Sequence, residues 1–262
     1  MTSLLRPLSI AEILDGAFAI YRVNIGRLLA VSFGIGLPLI ALAALSTPLA
    51  VFLQFITSPL LDAALIWICA ELIKGGSPTP GVALGRGLRM WIPLAALSVG
   101  YIVLIMLVAG FVITPAVIAS SFNEVLGGIA ILGSSVVMIF VLVTLFAWRQ
   151  VIVVEREWNF VRRSARLARG GRWRIILIAI LSWLLAVLPT LVVTVGQGLT
   201  SGWDSLTDSS QVSFASFAPG IAVQAVVRPF THALFTLLYF DRRVQLEGFD
   251  VEQSVRAAGM TT

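Results

Sequence analysis

A stretch of 34 residues without a charged side chain, Leu28 to Leu61, constrains what this chain can fold into. A membrane-spanning helix needs about 20 mostly apolar residues, so the stretch is longer than one span and shorter than two. Charged residues make up 12% of the chain, against about 25% in soluble domains. The 262-residue chain, with a mean hydropathy of +0.99, cannot cover a water-facing surface. The sequence therefore predicts an integral membrane protein.

Breaks in the apolar runs divide the chain into six predicted spans. The first break falls at the Ser-Thr-Pro sequence of residues 46–48, inside the long uncharged stretch. The predicted spans are residues 28–47, 49–74, 91–113, 126–148, 175–199 and 219–240. We therefore expect an all-α fold with a single membrane domain over residues 1–262. It is a polytopic bundle of six transmembrane helices with additional amphipathic interfacial helices.

The stretch from Arg149 to Arg174 indicates the orientation of these spans. It contains eight of the chain's eighteen Lys and Arg residues and lies between two apolar runs. Loops that stay in the cytoplasm carry the positive excess, so residues 149–174 are predicted to be a basic cytoplasmic loop. With this orientation, seventeen of the eighteen basic residues lie in segments assigned inside, and segments 114–125 and 200–218 lie outside. Both termini, including a tail over residues 241–262, are then cytoplasmic.

Two segments have the pattern of helices that lie in the membrane interface. Residues 9–23 begin with a capping box, Ser9 and Glu12, and continue with apolar residues at helical spacing. A water-soluble helix packed on a cytoplasmic loop is the alternative. In the basic loop, Trp158, Val161, Ala165 and Ala168 share one helical face. We expect the basic residues there to face lipid phosphates: Arg162, Arg163, Arg166, Arg169 and Arg172.

Residues with catalytic or metal-binding chemistry are scarce. The chain has one histidine, His232, and one cysteine, Cys69, so we expect no catalytic residue, metal site or cofactor. Glu155 and Glu157 are similar to the paired acids of intramembrane proteases, but they lie in the basic loop. We interpret them as solvated partners of nearby arginines. The pI of about 10.3 comes from bases between spans, which favours anionic lipid headgroups as partners and no nucleic acid.

Asp62 and Arg228 are the charged residues predicted to lie deepest in the membrane. Asp62 is twelve positions before Lys74, and Arg228 is thirteen before Asp241. At about 1.5 Å per residue, both lie about 18–20 Å above the inner boundary. Matching depth and opposite sign predict a pair, and His232, one turn below Arg228, could extend it. The pair either holds two helices together or forms a substrate or proton site; alternatively, Pro59 breaks the helix and Asp62 lies near an outer surface.

Both ends of the chain, and part of the basic loop, carry motifs on which a resemblance can be judged. The sequence RPLSIAEILDGAFAIYRVN (6–24), together with Arg163-Ser164 and Gly171-Arg172-Trp173, resembles the glycerophosphoryl diester phosphodiesterase membrane-domain family of bacteria. The closing sequence LYFDRRVQLEGFD (238–250) matches that family's closing pattern at Tyr239, Asp241, Arg243, Glu247, Gly248 and Asp250. The resemblance implies the membrane domain alone, in the bacterial cytoplasmic membrane. It does not imply phosphodiester hydrolysis, because nothing here could form that enzyme's barrel of roughly 250 residues.

The closing motif combines acids with a basic neighbourhood. We expect residues 241–250 to pack against the basic loop or residues 6–27 through ion pairs, with an unstructured tail as the alternative. The leading functional hypothesis is a non-enzymatic scaffold or accessory subunit of an envelope or lipid-related assembly, with a membrane or cytoplasmic protein partner. The alternative is a small transporter or lipid-handling protein with a charged site at Asp62 and Arg228. A membrane enzyme is the third and least favoured hypothesis.

Overall fold

The computed structural model describes residues 6–201 and 214–248, and within those ranges the fold is all-α. The predicted six spans are confirmed, because six helices are long and apolar enough to cross a membrane. Much of the predicted outside segment 200–218, and tail residues 249–262 with Asp250, lie outside the described ranges. The helices are α1 (Ile10–Val23), α2 (Ile25–Leu45), α3 (Thr47–Ile73), α4 (Pro80–Phe122), α5 (Glu124–Thr144), α6 (Trp148–Gln150), α7 (Phe160–Ala168), α8 (Arg172–Ser201) and α9 (Phe214–Glu247).

The first helices begin and end where local sequence signals place them. Ser9 caps α1, accepting from the Glu12 amide at 3.2 Å, while Glu12 accepts from the Ser9 amide at 2.7 Å. The Ser9 amide and the Arg6 side chain lower the pKa of Glu12 to about 2. The predicted break at 46–48 is a single residue, Ser46, between α2 and α3. The predicted capping box and the first interhelical break are therefore both present.

The third span is much longer than predicted. Residues 91–113 are the middle of α4, which covers 43 residues from Pro80 to Phe122. Residues 75–90, which lie between the second and third predicted spans and were expected to form a loop, are mostly helical. Pro80 begins this helix, because a proline in the first turn has no amide hydrogen but loses no helical hydrogen bond. At the other end, the predicted outside loop 114–125 is helical except at Asn123. The Asn123 side chain caps α5 by accepting from the Val125 amide at 2.8 Å.

The basic stretch is not the single loop that the sequence predicted. After α5 ends at Thr144, the chain passes through α6 and a π-helical turn at Val151–Glu155 before α7 begins. The π-turn ends at Arg156, which adopts a left-handed backbone conformation (φ 57°). Trp158 therefore precedes α7 and is 67% exposed, so the predicted helical face that included Trp158 is wrong.

The core is formed around α3 and α9, which are the most buried of the six spans. α3 contacts α2, α4 and α9, and α1 packs its buried face against α9. Large, fully buried side chains gather near α1 and the ends of α3 and α9: Ile13, Ile20, Leu65, Leu72, Tyr239 and Phe240. The α1 helix is thus held against the bundle by packing. The halves of α4 and α5 next to Asn123 contribute mainly exposed apolar side chains among the described residues.

Candidate functional site

Three charged or titratable side chains from two other helices meet at Asp62 of α3. Arg228 of α9 donates from Nε to Asp62 Oδ1 at 2.9 Å, and His232 Nε2 lies 2.7 Å from the same oxygen. Arg149 of α6 approaches the other oxygen, with Nη1 2.9 Å from Oδ2. Arg228 also donates to the Ser58 hydroxyl at 2.6 Å. We call Asp62, Arg149, Arg228 and His232 the Asp62 cluster.

The contact that the sequence predicted between Asp62 and Arg228 is therefore formed, with His232 joining it. Asp62 is 2% exposed within a continuous helix, so Pro59 does not break α3. An isolated charge near the centre of a bilayer costs about 2.5–3.5 kcal/mol or more. Sharing one carboxylate among two guanidinium groups and an imidazole satisfies its lone pairs. It leaves the cluster with more cationic than anionic groups.

Arg149 is the member of this cluster that the sequence pattern did not reveal. The pattern placed it in the basic cytoplasmic loop, whereas its side chain reaches a carboxylate within the third helix. The reason is the break after α5. Ser164 of α7 donates to the Thr144 carbonyl at 2.8 Å and accepts from the Ala147 amide at 3.2 Å. These bonds satisfy backbone groups that the interrupted helix leaves free, a requirement for non-helical backbone inside a membrane protein.

Aromatic rings fix the position of Arg149. Its guanidinium lies over the Trp148 ring, 5.0 Å from the centroid, and Trp148 stacks on Tyr101 at 5.1 Å. A cation over an aromatic face is attracted to the ring's negative quadrupole. Arg149 Nε has no hydrogen-bond partner within the described residues. The side chain is held in place while part of its donor capacity stays unused.

Cavities adjoin the Asp62 cluster from several directions. One of them, about 710 Å³, is lined by α3, α4, α6 and α9, and we call it the α3–α4 cavity. Asp62, Arg149 and Arg228 line it together with apolar residues of α3 and α4. A cavity of about 320 Å³ reaches Arg149 and His232, and another of about 550 Å³ reaches Arg228 from α8. The charged cluster is therefore accessible to molecules that enter between the helices.

A second polar network joins α9 to the basic stretch and to the N-terminal segment. Asp241 accepts from the Leu8 amide at 2.8 Å and lies 3.1 Å from Arg174 Nη2. Glu247 accepts from Arg163 Nη2 at 2.8 Å. The expected packing of the closing motif against residues 149–174 and 6–27 is therefore confirmed for its described residues. We call this set the terminal network: Leu8, Glu155, Arg163, Arg174, Tyr239, Asp241, Arg242, Arg243 and Glu247.

The described motif residues of the family resemblance have structural roles in this network. Glu155 accepts from the Tyr239 hydroxyl at 2.5 Å and lies 3.3 Å from Arg243 Nε. Arg243 Nε also donates to Glu247 at 3.2 Å, and Gly248 takes a positive φ of 63° directly after α9. The predicted pairing of Glu155 and Glu157 with nearby arginines is confirmed, because both carboxylates lie within 4 Å of Arg163 Nε. Glu157 is exposed, but only 13% of the Glu155 side chain is, so the interpretation of Glu155 as solvated is wrong.

A close approach at Gly171 fixes another contact of this network. Arg242 donates from Nε to the Leu167 carbonyl at 3.0 Å and from Nη2 to the Arg169 carbonyl. A Cβ atom at Gly171 would lie 2.6 Å from Arg242 Cζ. The glycine is therefore needed for the guanidinium to reach the end of α7. Those two carbonyls would otherwise lack helical partners.

Most of the arginines predicted to face lipid headgroups are exposed, with one exception. Arg162, Arg166, Arg169 and Arg172 lie on the protein surface, and Arg172 also contacts the Phe140 ring at 4.7 Å. Arg163 instead points into the terminal network, with 12% of its side chain exposed. Its bonds to Glu155 and Glu247 raise the pKa of Arg163. The prediction that Arg163 faces lipid is therefore wrong, because two carboxylates bind it first.

Comparison with known proteins gives no relative: no family model, curated protein or solved structure matches this chain. A function for the protein therefore has to be inferred from the geometry of the Asp62 cluster, the cavities beside it and the terminal network.

Proposed function

We propose that this protein is a non-enzymatic, multi-pass membrane protein that handles a lipid, and that the α3–α4 cavity is its binding site. One observation carries the proposal: a cavity of about 710 Å³ with mainly apolar walls ends at a charged cluster. Ligand pockets measure about 300–1,000 Å³ and combine apolar walls with a few convergent polar groups. An amphiphile has both features, an apolar chain and a polar head.

The location of the cavity favours a ligand that comes from the bilayer. α3 and α4 are both candidate spans, and the apolar side chains on the cavity wall are exposed between them. Ile92 is 73% exposed and Phe55 is 58% exposed. Lipid chains surround such side chains in a membrane, so a lipid can enter sideways without crossing water. Movement of that lipid across the membrane, as in a small transporter, would use the same site.

We also propose that the chain is a member of the bacterial membrane-domain family that it resembles, and that it resides in the cytoplasmic membrane. The support is that Tyr239, Arg243 and Glu247, which carry the resemblance, are linked to Arg163 through Glu155 and Glu247, while Asp241 binds the Leu8 amide and Arg174. These residues join the end of α9 to the basic stretch and to the segment before α1, and none of them lines the proposed site.

The test is to count lipids that remain bound after purification in a mild detergent, by native mass spectrometry. We expect wild type to retain about one lipid per chain. Ala95→Phe, which fills the α3–α4 cavity from α4, should lose it. Val103→Phe is the matched control, because Val103 is on the same helix, is exposed and does not line this cavity. Absence of retained lipid from wild type, or equal retention by both variants, would contradict the proposal.

A scaffold or accessory subunit in an envelope or lipid-related assembly is the second candidate function. The observation that favours it is the exposed pair Trp158 and Trp173, at 67% and 84%, beside the exposed arginines of α7. Aromatic and arginine side chains are enriched where proteins bind each other. A stoichiometric protein partner in a mild-detergent pull-down, lost on Trp158→Ala and retained in Ala95→Phe, would favour this candidate over lipid handling.

A further inference from the structure

The balance of charge at the cavity indicates what kind of lipid fits it. The one carboxylate of the Asp62 cluster has both oxygens occupied: Oδ1 by Arg228 and His232, and Oδ2 by Arg149. Two guanidinium groups therefore share one negative charge, and the site carries a surplus positive charge. A surplus charge among membrane-spanning helices is stabilised by a counter-ion.

Arg149 is the group that can bind this counter-ion. Its Nη1 is directed to Asp62, and its guanidinium lies over the Trp148 ring. The side chain is 36% exposed and lines the α3–α4 cavity. Arg149 therefore offers positive charge to an anion in the cavity while it keeps its bond to Asp62.

The rest of the cavity fits an acyl chain. Its wall beyond the charged residues includes Val51, Phe55, Ile92, Val99 and Ile102, each of which is more than a third exposed. Such a wall gives a soluble anion no contact beyond the charged end. A lipid occupies both parts, with its head at Arg149 and its chain along α3 and α4.

We propose that the α3–α4 cavity binds an anionic phospholipid, with its phosphate against Arg149 and Arg228. A phosphate presents several acceptor oxygens, and guanidinium groups bind it with paired hydrogen bonds. The two guanidinium groups here come from two segments, Arg149 from α6 and Arg228 from α9, and a tetrahedral phosphate can meet them from different directions. This inference rests on the proposed lipid-handling function and specifies the lipid class.

The experiment measures lipid binding to the delipidated full-length protein in a nonionic detergent, by native mass spectrometry. The probes are dioleoyl phosphatidic acid, dioleoyl phosphatidylcholine and inorganic phosphate. We expect phosphatidic acid to bind at least ten-fold more tightly than phosphatidylcholine. Arg149→Gln should lose at least ten-fold in affinity for phosphatidic acid and leave phosphatidylcholine unchanged. Arg149→Lys, which keeps the charge, should stay within about three-fold of wild type and shows that the position tolerates substitution.

Arg89→Gln is the matched control, because Arg89 is an exposed arginine of α4 that does not line the cavity. It should bind both lipids as wild type does. Equal binding of the two lipids would overturn the inference and leave lipid handling intact, whereas binding of neither would overturn both. Inorganic phosphate that binds as tightly as phosphatidic acid would also overturn it, because the acyl chain would then contribute nothing. A loss in Arg89→Gln equal to that in Arg149→Gln would place the lipid on the surface.

Discussion

At the scale of single residues, Asp62 provides the carboxylate that Arg149, Arg228 and His232 share. We expect Asp62→Asn to lower the free energy of unfolding by about 3 kcal/mol, because removing one partner of a buried ion pair leaves the other charge uncompensated. The measurement is thermal or denaturant-induced unfolding in detergent. Asp15→Asn is the control, since Asp15 is an exposed acid of α1 and should change stability little.

Charge exchange tests the same pair in a different way. Asp62→Arg places three guanidinium groups in one cluster, so we expect it to impair accumulation of the protein in the membrane. Adding Arg228→Asp returns one carboxylate to the cluster and should restore part of that accumulation. The restoration should be incomplete, because the new carboxylate comes from α9 and meets Arg149 at a different distance. Wild-type levels of both single variants would mean that this pair does not hold α3 against α9.

At the scale of helices, Gly87 allows α4 to cross α3 closely. A Cβ atom there would lie 2.8 Å from the Leu60 carbonyl oxygen and 3.1 Å from the Ala64 side chain. We expect Gly87→Ala to push the helices apart and to destabilise the protein by about 1–3 kcal/mol. Gly85→Ala on the same helix meets open space and should be neutral or stabilising by up to about 1 kcal/mol. Equal stability of the two variants, measured by thermal unfolding, would contradict this packing.

A carboxylate of α9 adds polar contacts to the packing that holds α1. Asp241 accepts from the Leu8 amide and pairs with Arg174, so it fixes the chain just before α1. We expect Asp241→Asn to increase hydrogen exchange of the α1 amides by ten-fold or more, because the charged bonds are lost and α1 detaches more often. Exchange in α3 should stay unchanged. Asp15→Asn is the control, because Asp15 is an exposed acid of α1. An equal increase in exchange of the α1 amides in Asp15→Asn would show that the effect is not specific to Asp241.

Arg149 shows which parts of the site could be predicted from the sequence. Depth and charge were enough to pair Asp62 with Arg228, because both lie within apolar runs that leave few other partners. The same use of charge placed Arg149 in the predicted loop. Basic residues that follow an apolar run are assigned to a cytoplasmic loop, and Arg149 is the first of them. The position of Arg149 depends on the interruption of the helix after Thr144. The Ser164 hydroxyl binds the Thr144 carbonyl and the Ala147 amide at this interruption, although it is seventeen or more residues away in sequence. Hydropathy contains no information about such a contact.

The ends of the helices were also beyond what hydropathy can place. α4 continues about a dozen residues before the predicted span 91–113, through Arg86 and Arg89. Charged residues mark the end of a predicted span, but a helix can continue past them into the aqueous phase. Here α4 begins at Pro80, which is favourable in the first turn of a helix, and runs through both arginines. The boundary between α4 and α5 is a single capping residue, Asn123, within a segment predicted to be a loop. Composition therefore located the apolar parts of each helix and missed their polar extensions.

At the scale of the whole molecule, polar contacts are concentrated at two levels. The terminal network joins the N-terminal segment, the basic stretch and the end of α9. The Asp62 cluster lies nearer the start of α9. Arg228 precedes Tyr239 by eleven residues, which is on the order of 16 Å of helix. Packed apolar side chains fill the region between the two levels. A rigid end beside a more open region is the arrangement expected of a bundle that admits a lipid between its helices.

The orientation of the bundle is the last prediction, and it can be tested with single cysteines on a Cys69→Ala background. Ser121→Cys, near the α4–α5 connection, should react with a membrane-impermeable maleimide on intact cells, because that end carries no Lys or Arg. Arg166→Cys, on the exposed face of α7, should react only after permeabilisation. Ser164 would be a poor choice, because its side chain is fully buried and would stay unlabelled on either side. Labelling of Arg166→Cys and not Ser121→Cys on intact cells would mean that the basic end of the bundle faces outward.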